Sequence, residues 1–228
     1  TRKGGSSRGN WRSAFALFGY AALFSFAYLD LTAAPGALLL FGAVQVTMIA
    51  AGLARGERLD RVQVVGVLLA FGGLLGLLWP GWSAPPLGAA SMMIGAGIAW
   101  GAYSVGGRGA ADPIRVTADN FLLTVPITAV LSLLTLPWAS FDPVGAAYAV
   151  ASGAVTSGLG YTLWYTVLPL LRATTAATVQ LSVPVLVAIG GVLLLDEPLT
   201  LRLVVATGAV LGGIGLVILE RRRVGLLR

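Results

Sequence analysis

The sequence predicts an all-α polytopic membrane protein, eight transmembrane helices of a ten-helix inverted-repeat (5+5) fold. Three observations carry that prediction. First, 57% of the 228 residues are hydrophobic and 11% charged, against about 25% charged in an ordinary soluble domain. Second, eight apolar stretches, each near the ~20 residues that cross a bilayer core, leave room only for short loops. Third, fourteen of the fifteen basic residues fall in alternate gaps between those stretches. They are Arg2, Lys3, Arg8 and Arg12; Arg55, Arg58 and Arg61; Arg108 and Arg115; Arg172; and Arg221, Arg222, Arg223 and Arg228. Only Arg202 lies on the far side. Short basic loops stay in the cytoplasm, so both ends of the chain are expected there, in a plasma (inner) membrane. The net charge of +6 is then a topology signal, not a nucleic-acid surface.

The first stretch, 11–31, opens on Trp11, carries Tyr20 and Phe24, and ends near Asp30, an interfacial residue. Pro35-Gly36 breaks the chain before 36–54, which holds Gln45. The third stretch, 62–78, follows the basic turn and contains Gly72 and Gly76. Pro80-Gly81 and Pro85-Pro86 separate it from 87–106, where Trp100 and Tyr103 share a helix face. Asp112-Pro113 precedes 116–136, with Asp119 beside Asn120 and a kinking Pro126. Asp119 is expected to accept a hydrogen bond from Thr117 or to pair with Arg115. Asp142-Pro143 precedes 144–171, whose 28 residues exceed a span; an interfacial turn at 142–145 or a tilt absorbs the excess. Tyr161, Trp164 and Tyr165 stand at i, i+3 and i+4 there, with Ser157 one turn earlier. The seventh stretch, 174–195, has Gln180 and a mid-helix Pro184, and the eighth, 201–219, has Gly208 and Gly212. Trp11, Trp79, Trp82 and Trp138 lie at stretch ends, where indole rings anchor at the headgroups.

Histidine and cysteine are absent, which removes imidazole and thiol catalysis, disulfides and the usual zinc and haem ligands. With loops this short, no enzyme, cofactor or metal centre is expected. No secretory signal opens the chain. The polar stretch 2–10 reads instead as an inside loop that continues from something upstream.

The chain repeats itself at an offset of 140 residues, from position 56 to 196. Gly56-Glu57-Arg58-Leu59 falls on Asp196-Glu197-Pro198-Leu199, and Gly72-Gly73 on Gly212-Gly213. With one residue of slippage, Gly19-Tyr20 falls on Gly160-Tyr161, and Phe24 on Tyr165. The first three stretches thus repeat as the last three. The fourth and fifth then require counterparts beginning about 55 residues before Thr1. Five helices is an odd number, so the two units run in opposite directions: 1–81 is the remainder of one and 82–228 the other. The basic turn 55–61 is inside and its acidic partner near Glu197 outside, in agreement. Inverted repeats are the architecture of many secondary transporters, with a substrate site where the repeats meet.

These residues resemble the EamA-like branch of the drug/metabolite transporter superfamily. The resemblance rests on the helix–turn–helix 178–213 with Pro184 and Asp196-Glu197-Pro198-Leu199, its degenerate copy Gly56-Glu57-Arg58-Leu59, and Ala99-Trp100-Gly101-Ala102-Tyr103. It implies ten helices in two inverted halves around a cavity, and movement of small metabolites.

An aromatic and amide set supplies the candidate substrate site: Tyr161, Trp164 and Tyr165, their repeat counterparts Tyr20 and Phe24, then Trp100, Tyr103, Gln45 and Gln180. Aromatic walls with a few placed polar groups suit a small-molecule pocket, and unpaired amides in hydrocarbon cost a few kcal/mol. Pro184 joins the set because a kink frees carbonyls near the midplane. No carboxylate falls in mid-stretch, so a proton-coupling group would sit in the upstream helices, or coupling uses something else. Gly72/Gly76 and Gly208/Gly212 permit close helix approach, within each half or as a homodimer seam. Glu57 and Glu197 are expected to cap the helices that follow them, with a gate salt bridge as the alternative. The function expected is a secondary transporter, an exporter of small metabolites working in the lipid bilayer by alternating access. The rival is a non-transporting structural or assembly subunit, which would be packed solid between the halves.

Overall fold

Five helices come first in chain order: α1 (Trp11–Ala27), α2 (Ala33–Ala54), α3 (Arg61–Leu78), α4 (Leu87–Gly107) and α5 (Pro113–Thr135). The computed structural model describes residues 8–31, 33–78, 86–108, 110–194 and 200–226. The sixth apolar stretch comprises α6 (Pro143–Val150), a π-helical run Ala151–Leu159, α7 (Gly160–Val167) and a 3-10 turn Leu168–Leu170. The seventh comprises α8 (Ala173–Gln180) and α9 (Ser182–Leu194), and α10 (Leu201–Leu226) ends the described chain. Each of the eight stretches is helical over most of its described residues.

Local chemistry explains where these helices begin. Asp112 accepts from the Arg115 amide at 3.0 Å and Asp142 from the Gly145 amide at 2.6 Å, each followed by proline at the first helical position. An Asx cap satisfies an orphan amide, and proline has no amide there to lose. Asn10 caps α1 through the Ser13 amide in the same way. Helix α10 runs to Leu226, beyond the expected end at 219.

Two expectations are corrected. Asp142 caps a helix and opens no separate interfacial turn; a wider π pitch occurs within the long sixth stretch. Pro184 does not kink a continuous seventh helix either. The helix breaks at Leu181 and restarts at Ser182, so Pro184 sits in the first turn of α9, where its missing amide costs nothing.

Among the described residues, three helical segments are long and apolar enough to cross a membrane: Gly36–Ala54, Pro113–Trp138 and Leu201–Leu219. Arg61–Gly76 and Ala173–Leu186 are apolar but shorter.

Packing falls into two clusters. In the larger, α4 lies against α1 and α2, and α5 against α1, around Leu17, Val44, Met48, Met93, Tyr103 and Tyr165. In the smaller, α3 lies against α10 around Ala70, Leu74, Leu181, Val185 and Val210. This crossing is close because glycines meet backbone there: a Cβ on Gly66 would stand 2.7 Å from the Gly213 carbonyl, and one on Gly73 2.9 Å from the Ala206 carbonyl. Gly72, Gly76, Gly208 and Gly212 are exposed and take no part in that crossing; a Cβ on any of them would meet nothing within 4 Å. The bracing expected of those four glycines is therefore made by a neighbouring face, and it joins α3 to α10.

The loops gather by charge. The segment at Gly9 and Asn10 docks on the first turns of α5, and the turns after α2, α4 and α7 meet one another. These segments hold or adjoin Arg55, Arg108, Arg115 and Arg172. At the opposite end, Arg202 Nε donates to the Gly76 carbonyl at 2.7 Å.

Candidate functional site

Trp100 is the hub of the aromatic set. Its indole N–H donates to Gln180 Oε1 at 2.5 Å, and the Gln180 amide nitrogen donates to Met48 Sδ at 3.0 Å. One indole thereby ties α4 to α8, and one amide ties α8 to α2. Tyr20 and Tyr161 flank the Trp100 ring with centroids 4.9 and 4.8 Å away, tilted at 44° and 50°. Tilted and offset arrangements suit the quadrupoles of such rings. Phe121 stacks on the other side of Tyr161 at 5.8 Å. Tyr20, Trp100, Tyr161 and Phe121 are half-buried.

Tyr103 and Tyr165 are placed differently. They stack on each other at 4.7 Å, both fully buried, and the Tyr165 hydroxyl donates to the Tyr103 carbonyl at 2.9 Å. Tyr165 also presses its ring onto Gly107, where a Cβ would collide with it. These two rings form the wall behind the site. Trp164 is half-buried and donates to Ser104 Oγ at 3.0 Å. Phe24 extends the set along α1 by contact with Tyr20 and Tyr28. Gln45 is 5% exposed, and its amide makes no hydrogen bond with any described group. Pro184 is buried and cannot donate to the Gln180 carbonyl four residues back.

The structure thus brings together Tyr20, Trp100, Tyr161 and Gln180 in front, with Tyr103 and Tyr165 behind. Met48, Ser104 and Phe121 join them, and composition did not single these out. Their spacing was a usable signal: Met48 lies three residues after Gln45, and Ser104 four after Trp100, on shared helix faces.

A second constellation lies at the basic end. Glu57 Oε1 accepts from the Ala173 amide at 3.0 Å; Oε2 accepts from the Thr174 amide at 3.2 Å and its hydroxyl at 3.0 Å. Arg108 pairs with Oε1 at 3.1 Å and donates to the Leu171 carbonyl from Nε and an η-nitrogen at 3.2 and 3.0 Å. Burial opposes ionisation of Glu57. The two amides, the Thr174 hydroxyl and Arg108 outweigh it and hold the carboxyl below the usual carboxylate range. Glu57 was expected to cap α3, the helix that follows it; it caps α8 instead. Asp119 is corrected as well. It accepts from the Gly9 amide at 3.0 Å, while Asn120 accepts from the Asn10 amide. Glu197 lies outside the described residues, as do Trp79 and Trp82.

Residues 87–219, more than half the chain, match the EamA-like transporter family. The chain belongs to that family. An uncharacterized protein of Pseudomonas aeruginosa is 57% identical over 215 residues, covering 94% of this chain and 75% of the relative. An uncharacterized transporter of Archaeoglobus fulgidus is 32% identical over 171 residues, covering 72% of this chain and 60% of the relative. A solved crystal structure shares the fold with a TM-score of 0.80 at 22% identity, covering 94% of this chain and 80% of the other. Family and apolar helices together make this an integral membrane protein.

Proposed function

We propose that the chain is the larger part of a secondary transporter that exports small metabolites across the plasma (inner) membrane by alternating access. The observation that carries this is the Trp100 hub. It gathers half-buried rings from α1, α4, α5 and α7 and an amide from α8 around one point. On this reading residues 1–81 and 82–228 belong to two inverted repeats, and the hub lies where they meet. The basic end is the cytoplasmic face.

An uncovered surface supports the ten-helix form. Helix α1 buries Ala14, Leu17 and Ala27 beneath α4 and α5, whereas α6 and the π-helical run bury no residue. Two further helices, placed on the sixth stretch as α4 and α5 are on α1, would cover it. The chain spans 60–75% of the length of its two relatives, room enough for such a pair. The first check is the encoding DNA. Two hydrophobic segments within about 55–70 residues upstream, a span length each plus loops, are expected there.

Substrate would stack on Tyr161, Tyr20 and Trp100, with Gln180 orienting its polar groups. With no acid at this point, uncharged or ring-bearing metabolites suit it better than polycations. Trp164→Ala in the full-length protein is expected to cut transport several-fold and leave membrane insertion intact. Unchanged kinetics at normal expression would remove Trp164 from the site. The full burial of Tyr103 and Tyr165 favours a second reading, a packed scaffold subunit. An absence of transport across a broad panel of labelled metabolites, in proteoliposomes of the full-length protein, would favour it. The open glycine face of α3 and α10 is proposed as a seam for a second copy, tested by the mass of the detergent-purified particle.

A further inference from the structure

Helix α2 ends in a way that aims one side chain. The Gly56 amide donates to the Leu53 carbonyl and the Glu57 amide to the Gly52 carbonyl, both at 2.9 Å, with Gly56 at φ +84°. That is a Schellman cap, which needs a residue able to adopt the left-handed conformation. It turns the chain so that Glu57 reaches α8, 116 residues later in sequence. Gly52 matters as well, because a Cβ there would stand 2.7 Å from Glu57 Oε2.

The receiving end is built to be capped from outside. Arg172 occupies the N-cap of α8 and its side chain makes no cap bond. The first amides of α8 are donors without helical partners, and the helix end attracts negative charge. Glu57 supplies both needs, and Arg108 at the C-cap of α4 binds the same carboxylate together with the carbonyl of Leu171, the residue before the N-cap of α8. One carboxylate therefore joins the turn after α2 to α4 and to α8. Those latter two helices are also joined by Trp100 and Gln180, about 9 Å further along α8 at 1.5 Å per residue.

We propose that Glu57 is a latch: its contact with α8 and Arg108 closes the basic-end mouth of the aromatic site, and its withdrawal opens that mouth. The inference rests on the transporter reading for its purpose and on the geometry alone for its mechanics. A cap fixed for stability needs no partner from the opposite repeat; one that crosses between repeats breaks whenever they rock apart. The contact is also releasable. Glu57 is 12% and Arg108 21% exposed, so water can replace each bond as it opens.

These 228 residues hold no cysteine, so a single thiol placed among them is a direct reporter once any thiol elsewhere in the full-length protein is replaced by serine. Thr178 is fully buried on α8, one turn beyond Thr174 and two residues before Gln180, so Thr178→Cys reports on the mouth. In the full-length protein, in inside-out vesicles, its alkylation by a membrane-impermeant maleimide is slow in the latched form. Glu57→Gln is expected to speed it about tenfold, the scale of losing a helix cap and an ion pair. Arg108→Gln, which keeps the amide cap, should speed it less and serves if Glu57→Gln does not fold. Unchanged labelling in a folded variant of either kind overturns the latch. Faster labelling in a protein that moves no metabolite keeps the latch and overturns the transporter reading, so the two fail separately.

Discussion

The Trp100 hub and the Glu57 cluster are each built from α4 and α8, yet from opposite chemistry. The hub uses rings and one neutral amide, contacts that are individually weak and change partners without leaving a buried charge. The cluster uses one carboxylate held by two amides, a hydroxyl and a guanidinium, a contact that is either made or lost. The first arrangement suits binding of varied small molecules; the second suits a two-state mechanical contact. Losing a hub partner should therefore grade the response, and losing the cluster should switch it.

The largest effect expected falls behind the hub. Tyr165→Ala removes a fully buried ring and should cost about 3–5 kcal/mol, seen as a large fall in the melting temperature of the detergent-solubilised protein. A small fall would show that the wall is less packed than its burial implies. Glu57→Ala follows, at about 2 kcal/mol for the lost cap and the charge left on Arg108. This part of the stability has a pH signature. The folded carboxyl is lowered, so its contribution is complete above the ordinary glutamate value near 4.3 and fades as pH falls through the folded value. The difference between wild type and Glu57→Gln should be level from pH 6 to 8, as the carboxylate stays ionised there, and shrink below about pH 4.

Smaller effects separate the hub's own members. Trp100→Phe keeps the ring but removes the bond to Gln180. About 1 kcal/mol corresponds to roughly a fivefold rise in the transport KM, with maximal rate little changed. A fall in rate without a change in KM would move Trp100 from the binding set to the moving parts. Tyr165→Phe should be the mildest, about 1 kcal/mol of stability with no change in KM. A KM effect from that single hydroxyl would bring Tyr165 out of the wall and into contact with substrate.

Much of this was legible in the chain. The two Asp-Pro pairs read as turns are helix caps, and the aromatic residues chosen by spacing on the fourth and sixth stretches do converge. Glu57 was recognised as a capping residue, but its target was misjudged. A local motif shows what a carboxylate can do, whereas its partners Ala173 and Arg108 lie far along the sequence. The glycines at the α3–α10 crossing were likewise displaced by a few residues, from Gly72 and Gly76 to Gly66 and Gly73.

The sequence by itself determined that the chain is helical, that it is apolar enough for a membrane, which turns separate its apolar stretches, and how its basic residues alternate. Those properties depend on one segment at a time: its length, its transfer into an apolar phase, and the turn chemistry at its ends. Only the tertiary structure decided which face of each helix turns inward. In a membrane the lipid is as apolar as the interior. A helix that is hydrophobic all round therefore carries no amphipathic stripe to fix its rotation, and Glu57, Trp100 and Gly66 acquire their partners only when the helices are packed.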